Sequence, residues 1–228
     1  MKNIAVIIPA FNETTSIGKV INDIPKDWVR EIIVVNNGST DDTAMVAQNA
    51  GATVLLENKK GYGFACLKGI EYLKSSKNPP EIVVFLDGDY SDYPEQLPEV
   101  VAPILKNKAG LVIGSRALGN RQEGSMMPQQ IFGNWLATTL IKWLYGIKFS
   151  DLGPFRAIKF NELIELDMQD TTYGWTVEMQ VKAAKKKIPC VEVPVNYRQR
   201  VGVSKITGTV KGTVLAGYKI ITTIFKLL

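Results

Sequence analysis

The sequence contains no histidine among its 228 residues. This absence excludes an imidazole general base, the commonest transition-metal ligand, and the Ser-His-Asp and Cys-His triads. Any chemistry must therefore use carboxylates, lysine, arginine, tyrosine or a hard metal ion. Cysteine is scarce as well, since only Cys66 and Cys190 occur, in no metal-like spacing. A disulfide framework and a structural zinc site have no support, and a reducing compartment fits best.

Long hydrophobic runs are also missing. No stretch reaches the roughly 20 uncharged apolar residues that a membrane-spanning helix needs. The first residues lack the apolar core and cleavage site of a signal peptide, and Pro9 interrupts the first hydrophobic run. We therefore expect a cytoplasmic protein whose contact with the inner membrane face, where it occurs, is peripheral.

Positive charge is concentrated in one half of the chain. Residues 1–114 carry 11 basic and 14 acidic side chains, whereas residues 115–228 carry 16 basic and 8 acidic ones. This asymmetry favours an anionic partner for the second half, such as a phosphate, a nucleic acid or an anionic membrane surface. A basic face that is merely solvated is the alternative.

The first half has the pattern of an α/β sheet. Short, nearly continuous apolar runs alternate with helical patterns, which is typical of parallel strands covered by helices on both faces. The predicted strands are residues 4–9, 31–36, 52–57, 81–89 and 110–115, and the predicted helices are residues 15–24, 41–50, 63–76 and 95–107. A doubly wound sheet of this kind binds its ligands at the carboxyl ends of the strands.

The second half is less regular. The spacing of its large apolar residues predicts a helix over 129–145, whose apolar stripe we interpret as core, with a lipid-facing surface as the alternative. A helix near 175–187 and a strand over 190–197 follow. Residues 209–228 have an apolar face accompanied by lysines, which suits either a helix on anionic lipid or packing on the parent domain.

Two carboxylates follow the fourth predicted strand. Asp87 and Asp89 stand at positions i and i+2, so their side chains project to the same side of an extended chain. Such hard-oxygen ligands suit Mg²⁺ or Mn²⁺ held partly by a substrate diphosphate. An acidic turn after a strand is the ordinary alternative. Ser91 and Asp92 are near enough in sequence to adjust the site.

A late loop brings cations together. Arg198, Arg200 and Lys205 could hold a diphosphate through charge-assisted hydrogen bonds, although basic connectors are often only solvated. Gly61, at a predicted helix start, could allow close backbone approach. Cys66 stands where a third glycine would complete GxGxxG, so a dinucleotide site is not supported.

Eight short motifs occur in order: IIPAFNE (7–13), VVNNGSTD (34–41), GYG (61–63), DGDYSDYPE (87–95), GSR (114–116), DLGPFRA (151–157), GWTVEMQVKA (174–183) and VPVNYRQRVGVSK (193–205). The set resembles glycosyltransferase family 2, and within it dolichyl-phosphate mannose synthase and related polyprenyl-phosphate glycosyltransferases. That family usually has two aspartates where this chain has Asn36 and Asn37, amides that keep hydrogen bonding but lose charge.

The resemblance implies a GT-A fold, a Rossmann-like α/β fold with a mostly parallel central sheet and helices on both faces. It also implies transfer of a hexose with inversion from a UDP- or GDP-linked sugar. We expect the catalytic domain to cover residues 1–208, and the apolar pattern of residues 209–228 predicts an amphipathic helix after it. The implied catalytic residues are Asp89, Asp151, Glu178, Arg200 and Lys205. The implied donor-binding residues are Pro9, Phe11, Glu13, Asn36, Asn37, Gly61, Asp87 and Gly88. Asp87 and Asp89 would hold Mg²⁺ or Mn²⁺, and an acceptor phosphate would face Arg116, Arg121 and Arg156.

The acceptor expected from the resemblance is a polyprenyl phosphate, and not a nucleic acid. A phosphate is already ionised and needs no general base, which agrees with the lack of histidine. A hydroxyl acceptor would instead require Asp151 or Glu178 to take its proton. Glu178 could also simply pair with a nearby cation, and Arg156 could serve the packing of its own turn.

Two other functions are compatible with the sequence. A sugar-phosphate nucleotidyltransferase would use a similar sheet and metal, although no GxGTR-like signature follows the first strand. A non-catalytic nucleotide-sugar-binding or membrane-docking module is the second. The sequence does not specify the sugar, the base or the oligomeric state.

Overall fold

A computed structural model describes residues 2–202 and 210–228. The strands are β1 (Ile4–Ala10), β2 (Glu31–Asn36), β3 (Thr53–Leu56), β4 (Ile82–Phe85), β5 (Leu111–Ser115), β6 (Arg156–Lys159) and β7 (Cys190–Pro194). The helices are α1 (Ile17–Asp23), α2 (Thr43–Asn49), α3 (Tyr62–Lys74), α4 (Leu97–Leu105), α5 (Pro128–Tyr145), α6 (Phe160–Leu166), α7 (Trp175–Lys185) and α8 (Val210–Lys226), with a 3₁₀ turn over Pro94–Gln96 before α4.

The strands form one seven-stranded sheet in the order β3-β2-β1-β4-β6-β5-β7. The pairs β1–β2, β2–β3, β1–β4 and β5–β7 are parallel, whereas β6 runs antiparallel to both β4 and β5. Val6 is opposite Ile32 on one side and Val84 on the other, which fixes the register at the centre. The predicted α/β class with a mostly parallel sheet is confirmed.

Side chains alternate between two cores because successive strand residues point to opposite faces. Ile7, Ile33 and Phe85 belong to one cluster, which includes residues of α3, α5 and α7. Val6 and Val84 belong to the other, beneath α1, α2 and α4. Both faces are thus covered, as the apolar runs predict.

The sequence pattern does not predict β6 or α6. Residues 156–159 read Arg-Ala-Ile-Lys, a short segment with a charge at each end, yet Arg156 is fully buried in the sheet. A four-residue strand of this composition lacks the apolar run by which the other strands are found.

The expectation that the large residues of α5 form core is wrong. The buried residues of this helix are Ala137, Thr138 and Ile141. Phe132, Trp135 and Trp143 instead are 60%, 58% and 76% exposed. Helical spacing locates an apolar stripe, but here the narrow buried face consists of smaller side chains.

Helix α8 packs on the domain with one face. Ile224 is fully buried in the first cluster, and the Tyr145 hydroxyl donates to its carbonyl oxygen at 2.5 Å. Lys219 forms an ion pair with Asp170 at 2.9 Å. The outer face of α8 leaves Val214, Leu215, Tyr218 and Phe225 exposed, and Leu228, just after the helix, is exposed as well. Among the described helices, none is long and apolar enough to cross a bilayer.

Candidate active site

A first cavity of about 280 Å³ opens at the carboxyl ends of β1 and β4. Most of the residues expected to bind the donor line it, together with Asp89 and Arg200: Pro9, Phe11, Glu13, Asn37, Gly61, Asp87 and Gly88. These residues are far apart in sequence, and parallel strands bring them together because their carboxyl ends share one edge.

Asn36 and Asn37 fix the loops at this edge. The Asn36 side-chain oxygen accepts from the Ser39 amide at 2.9 Å. The Asn37 side-chain amide donates to the carbonyl oxygens of Glu57 and Lys59, at 3.0 and 2.7 Å, while its oxygen accepts from the Gly61 amide at 2.8 Å. An ionised aspartate could not donate to those carbonyls, which gives a structural reason for asparagine at position 37.

Gly61 and Gly63 allow close approach by protein backbone. A Cβ on Gly61 would lie 2.3 Å from the Thr171 carbonyl oxygen, and one on Gly63 would lie 2.0 Å from that of Asp170. Gly61 also has φ of 151°. These glycines therefore let the start of α3 pack on the segment before α7, which forms a wall of the site.

The two carboxylates after β4 differ in their surroundings. The Tyr62 hydroxyl donates to Asp87 at 3.0 Å. Burial, and then the charge of Asp89, raises the pKa of Asp87 to about 6. Asp89 is 5% exposed and accepts from both the amide and the hydroxyl of Ser91, at 2.9 and 2.5 Å.

Arg200 reaches the carboxylate pair directly. One of its terminal nitrogens lies 2.8 Å from an Asp89 carboxylate oxygen. The backbone on both sides of Arg200 is held against residues 89–91, because the amide of Arg198 donates to the carbonyl oxygen of Ser91 and that of Val201 to the carbonyl oxygen of Asp89, both at 2.9 Å. An acid from the end of β4 and a cation from the late loop thus meet in the first cavity.

Arg198 holds this loop in place. Its guanidinium lies 3.5 Å from the centre of the Tyr90 ring and 4.1 Å from that of Tyr93. It also donates to the carbonyl oxygens of Tyr90 and Asp92, at 2.8 and 3.0 Å. These contacts leave Arg200, rather than Arg198, directed at the carboxylates. Lys205 lies outside the described residues.

The residues fit a hard divalent cation in part. Asp87 and Asp89 offer the oxygen ligands that Mg²⁺ and Mn²⁺ prefer. No cluster of three His, Cys, Asp or Glu side chains suited to a metal occurs in the described chain. Substrate phosphate oxygens and water would therefore have to complete the coordination, as is common for Mg²⁺.

A second cavity of about 280 Å³ adjoins the first. It shares Tyr62, Asp87, Tyr173 and Arg200 with the first cavity. The rest of its lining comes mainly from Arg116, from residues 126–134 around the start of α5, from residues 172–176 and from α8. One continuous cleft therefore runs from the carboxylate pair to the two helices α5 and α8.

Asp151 orients Arg116 at the second cavity. The Arg116 side chain donates to both Asp151 oxygens, at 2.8 and 2.7 Å, and its backbone amide donates to one of them at 2.8 Å. Asp151 is 1% exposed, and the amide of the same residue donates to Glu192 at 3.1 Å. The Arg116 guanidinium lies 5.0 Å from the Tyr197 ring centre.

The structure does not bring Glu178 or Arg156 to the lining of either cavity. The Glu178 carboxylate accepts from the amides of Gln169 and Asp170 and pairs with Lys182 at 2.7 Å. Arg156 donates to carbonyl oxygens of its own turn, including that of Leu152 at 3.0 Å, and is fully buried. Their geometry therefore fits the alternatives of a local ion pair for Glu178 and of turn packing for Arg156, and their roles at the reaction centre and at the acceptor phosphate stay predictions.

Arg121 lies on a more exposed surface. It lines a third cavity of about 370 Å³, which shares Met126 and Asn134 with the second cavity and also involves Trp135 and Asp151. Arg121 therefore does not share a cavity with Arg116.

Several residues of the site could not be predicted from the sequence, because their amino-acid types and spacing do not distinguish them from residues outside the site. Tyr62 lies within the GYG motif, and Trp175 within GWTVEM, but only the fold shows that both line the second cavity. Asp92, considered above only as a modifier of the metal site, is 2% exposed and has no hydrogen-bond partner for either side-chain oxygen among the described residues. Burial, followed by the charges of Asp87 and Asp89, raises the pKa of Asp92 well above its ordinary value.

Comparison with protein-family models finds a match to glycosyl transferase family 2 over residues 5–166. An uncharacterized glycosyltransferase of Mycobacterium tuberculosis is 33% identical over 221 residues, which cover 93% of this chain and 94% of the relative. The undecaprenyl-phosphate mannosyltransferase of Micrococcus luteus is 26% identical over 224 residues, covering 92% of this chain and 89% of that protein.

Among solved structures, glucosyl-3-phosphoglycerate synthase of Mycobacterium tuberculosis superposes with a TM-score of 0.78 at 23% identity, covering 99% of this chain and 78% of that one. That crystal structure holds Mn²⁺, uridine diphosphate and phosphoglyceric acid. At this identity the likeness shows a common fold.

Proposed function

This chain belongs to glycosyltransferase family 2, and we propose that it transfers a hexose, with inversion, from a UDP- or GDP-linked sugar to a polyprenyl phosphate. The observation that carries the proposal is the 2.8 Å contact of Arg200 with Asp89 inside the first cavity. Opposite charges gathered at the carboxyl edge of the sheet are what a metal-bound diphosphate needs.

The leaving group determines the roles of the donor-side residues. Breaking the bond to the anomeric carbon builds negative charge on the departing diphosphate, and Arg200 is placed to stabilise that charge through hydrogen bonds. A Mg²⁺ or Mn²⁺ ion held by Asp87 and Asp89 would supply further charge stabilisation to the same oxygens. The part of the first cavity lined by Phe11, Glu13 and Asn37 is the proposed position of the nucleoside. Lys205 would add a second cation from the same loop.

The state of Asp151 supports a phosphate as acceptor. A hydroxyl acceptor must lose a proton to a base, but both Asp151 oxygens already accept hydrogen bonds from Arg116. An ionised phosphate needs no base and would find the Arg116 guanidinium in the second cavity. The name of the Micrococcus luteus relative, an undecaprenyl-phosphate mannosyltransferase, supports the same class of acceptor.

The exposed faces of α5 and α8 suit such a lipid acceptor. Trp135, Trp143, Tyr218 and Phe225 are between 49% and 76% exposed on these two neighbouring helices. Aromatic side chains with basic neighbours favour the interface of an anionic bilayer. We therefore propose that the helix within residues 209–228 contacts the membrane, at its cytoplasmic face. The catalytic domain that we propose covers residues 1–208.

The function is tested by incubating the protein with UDP- and GDP-hexoses, Mn²⁺ and a short polyprenyl phosphate. We expect release of nucleoside diphosphate that depends on both metal and acceptor, and a product of inverted anomeric configuration. Release of pyrophosphate from a nucleoside triphosphate and a sugar phosphate would instead indicate a nucleotidyltransferase. Donor binding without turnover on phosphate or hydroxyl acceptors would indicate a binding module.

The membrane contact has its own test. Because Ile224 belongs to the core, deleting α8 would damage the fold, so a Tyr218→Ser, Phe225→Ser variant is preferable. Binding to vesicles rich in anionic lipid should fall while nucleotide binding is unchanged. Equal vesicle binding by variant and wild type would contradict the contact.

A further inference from the structure

Two glycines inside helices border the second cavity, and close packing does not explain why either position is glycine. Gly133 lies within α5 and Gly217 within α8, and a Cβ added to either would meet no heavy atom of the described residues within 4 Å. Neither has the positive φ that favours glycine. Glycine destabilises a helix interior relative to alanine, so two such residues facing one cavity indicate that empty space is being kept there.

Other glycines of the chain show the contrast. A Cβ on Gly119 would lie 1.9 Å from the carbonyl oxygen of Val195, and one on Gly153 would lie 2.3 Å from that of Gly114. Those positions need glycine because backbone approaches closely. Gly133 and Gly217 meet no such backbone among the described residues, and their small size keeps this side of the cavity open.

Trp175 provides an independent sign of a ligand in the same cavity. It is 1% exposed and lines the cavity, and its indole nitrogen has no hydrogen-bond partner within residues 2–202 and 210–228. The ring packs edge-on against Phe85 with centroids 5.8 Å apart, which restricts its reorientation. An indole N–H can only donate, so a buried unpartnered one is suited to an oxygen supplied by a ligand.

The charge of the lining residues differs between the two ends of the second cavity. Arg116 and Arg200 are cationic, and Arg200 belongs also to the first cavity. The described residues that α5 and α8 contribute carry no charge: α5 contributes Gly133 and the amides of Gln129, Gln130 and Asn134, and α8 contributes only the small or apolar Ala216, Gly217 and Ile220. A ligand with an anionic head and an apolar chain would match this distribution, with the head near the arginines.

We propose that Gly133 and Gly217 determine acceptor specificity by keeping open a passage between α5 and α8 for the apolar chain of a phosphate acceptor. Trp175 donates its indole N–H to an oxygen of the acceptor head. This inference rests on the proposed function, since it concerns the acceptor of the same reaction. It adds that the width of the passage, and not only the charge of Arg116, selects the substrate.

The test measures binding of decyl phosphate and ethyl phosphate by calorimetry, with decyl phosphate kept below its micellar concentration and with UDP and Mn²⁺ present. Wild type should bind decyl phosphate at least about tenfold tighter, because each buried methylene adds affinity. Gly217→Leu and Gly133→Leu should abolish this preference and leave ethyl phosphate and UDP binding unchanged. Gly217→Ala should give an intermediate loss.

A matched control adds the same bulk elsewhere on α8. Thr222 does not line the second cavity, so Thr222→Leu should bind both phosphates as the wild type does. The open space around both glycines means that the leucine variants should fold, with thermal midpoints no lower than that of the wild type.

The possible results distinguish failure of the proposed passage from failure of the proposed function. A chain-length preference that persists in both leucine variants would overturn the passage. Trp175→Phe should weaken the binding of decyl phosphate and of ethyl phosphate by a similar factor. Unchanged binding of both would overturn the indole hydrogen bond. Failure of the wild type to bind either phosphate would contradict the acceptor class under the proposed function, and with it this inference.

Discussion

The first cavity and the α5–α8 side of the second cavity differ in how far the protein itself supplies partners for the groups that line them. At the first cavity, Asn37 uses both ends of its amide and Asp89 accepts from Ser91 and Arg200. At the other side, a Cβ added to Gly133 or Gly217 would meet no heavy atom of the described residues within 4 Å, and the Trp175 N–H has no partner within the same residues. The difference indicates one region organised in advance for a polar ligand and another completed only by a partner with an apolar part.

The largest effect should come from breaking the charge pair at the first cavity. Arg200→Ala removes the cation that faces Asp89 and, in the proposed reaction, the leaving diphosphate. The transfer rate should fall by about 10²–10³, the usual cost of losing one contact to charge developing in a transition state. Steady-state kinetics with saturating donor measure it. Arg198→Lys is the control for loop position, and a similar rate for Arg200→Ala and wild type would remove Arg200 from the mechanism.

Two glycine-to-alanine variants, one beside each cavity, should change the stability of the protein in opposite directions. Gly63→Ala places a Cβ against the Asp170 carbonyl and should destabilise the protein by about 1–3 kcal/mol, as overpacking does. Gly133→Ala, in open space, should stabilise α5 by up to about 1 kcal/mol. Urea unfolding gives both free energies of unfolding. Changes of the same sign would contradict the contrast.

Asn37→Asp tests the need for an amide at the first cavity. The carboxylate would keep the bond from the Gly61 amide but face the carbonyl oxygens of Glu57 and Lys59 without a hydrogen to donate. We expect a loss of about 1–2 kcal/mol of stability, the scale of lost hydrogen bonds. Asn78→Asp, in an exposed turn, is the control. An unchanged thermal midpoint for Asn37→Asp would show that the loop does not depend on the amide.

The smallest effect concerns Asp92 and depends on pH. Its pKa is raised above the value of about 3.9 in an unfolded chain, so the folded state holds this proton more tightly. The stability contributed by neutral Asp92 is therefore present at acid pH and is lost as pH rises. Asp92→Asn keeps a neutral side chain, so its thermal midpoint should exceed that of wild type by about 2–4 °C at pH 8 and match it near pH 4. A constant difference at all pH values would exclude titration of Asp92 as the cause.

Sequence reasoning succeeds where one local signal suffices. The buried strands β1, β2, β4 and β5 are continuous apolar runs, and parallel strands bring Asp87 and Asp89 to the edge where Phe11 and Asn37 also lie. It fails where only three-dimensional context decides. The antiparallel β6 is too short and too charged to be recognised, and helical periodicity does not tell which face of α5 is buried.

The same limit applies to the candidate site. Arg200 meets Asp89 because residues 198–201 pair with residues 89–91, a backbone contact that leaves no trace in composition. Glu178 and Arg156 belong to matching motifs, yet their hydrogen bonds serve the loop at 169–170 and the turn at 152–153. Gly217 and Trp175 gain meaning only when α8 and α7 are placed beside one cavity.

The central claim is that the acidic pair after β4 and the late-loop arginine meet around one metal-bound diphosphate. Calorimetric titration of UDP and GDP into wild type and Asp89→Asn, with Mn²⁺ and then with EDTA, tests it most directly. We predict that wild type binds one of these nucleotides only with Mn²⁺, and that Asp89→Asn, with an unchanged thermal midpoint, does not bind it under either condition. Equal affinity of wild type in Mn²⁺ and in EDTA, or of the variant and wild type in Mn²⁺, would contradict the account.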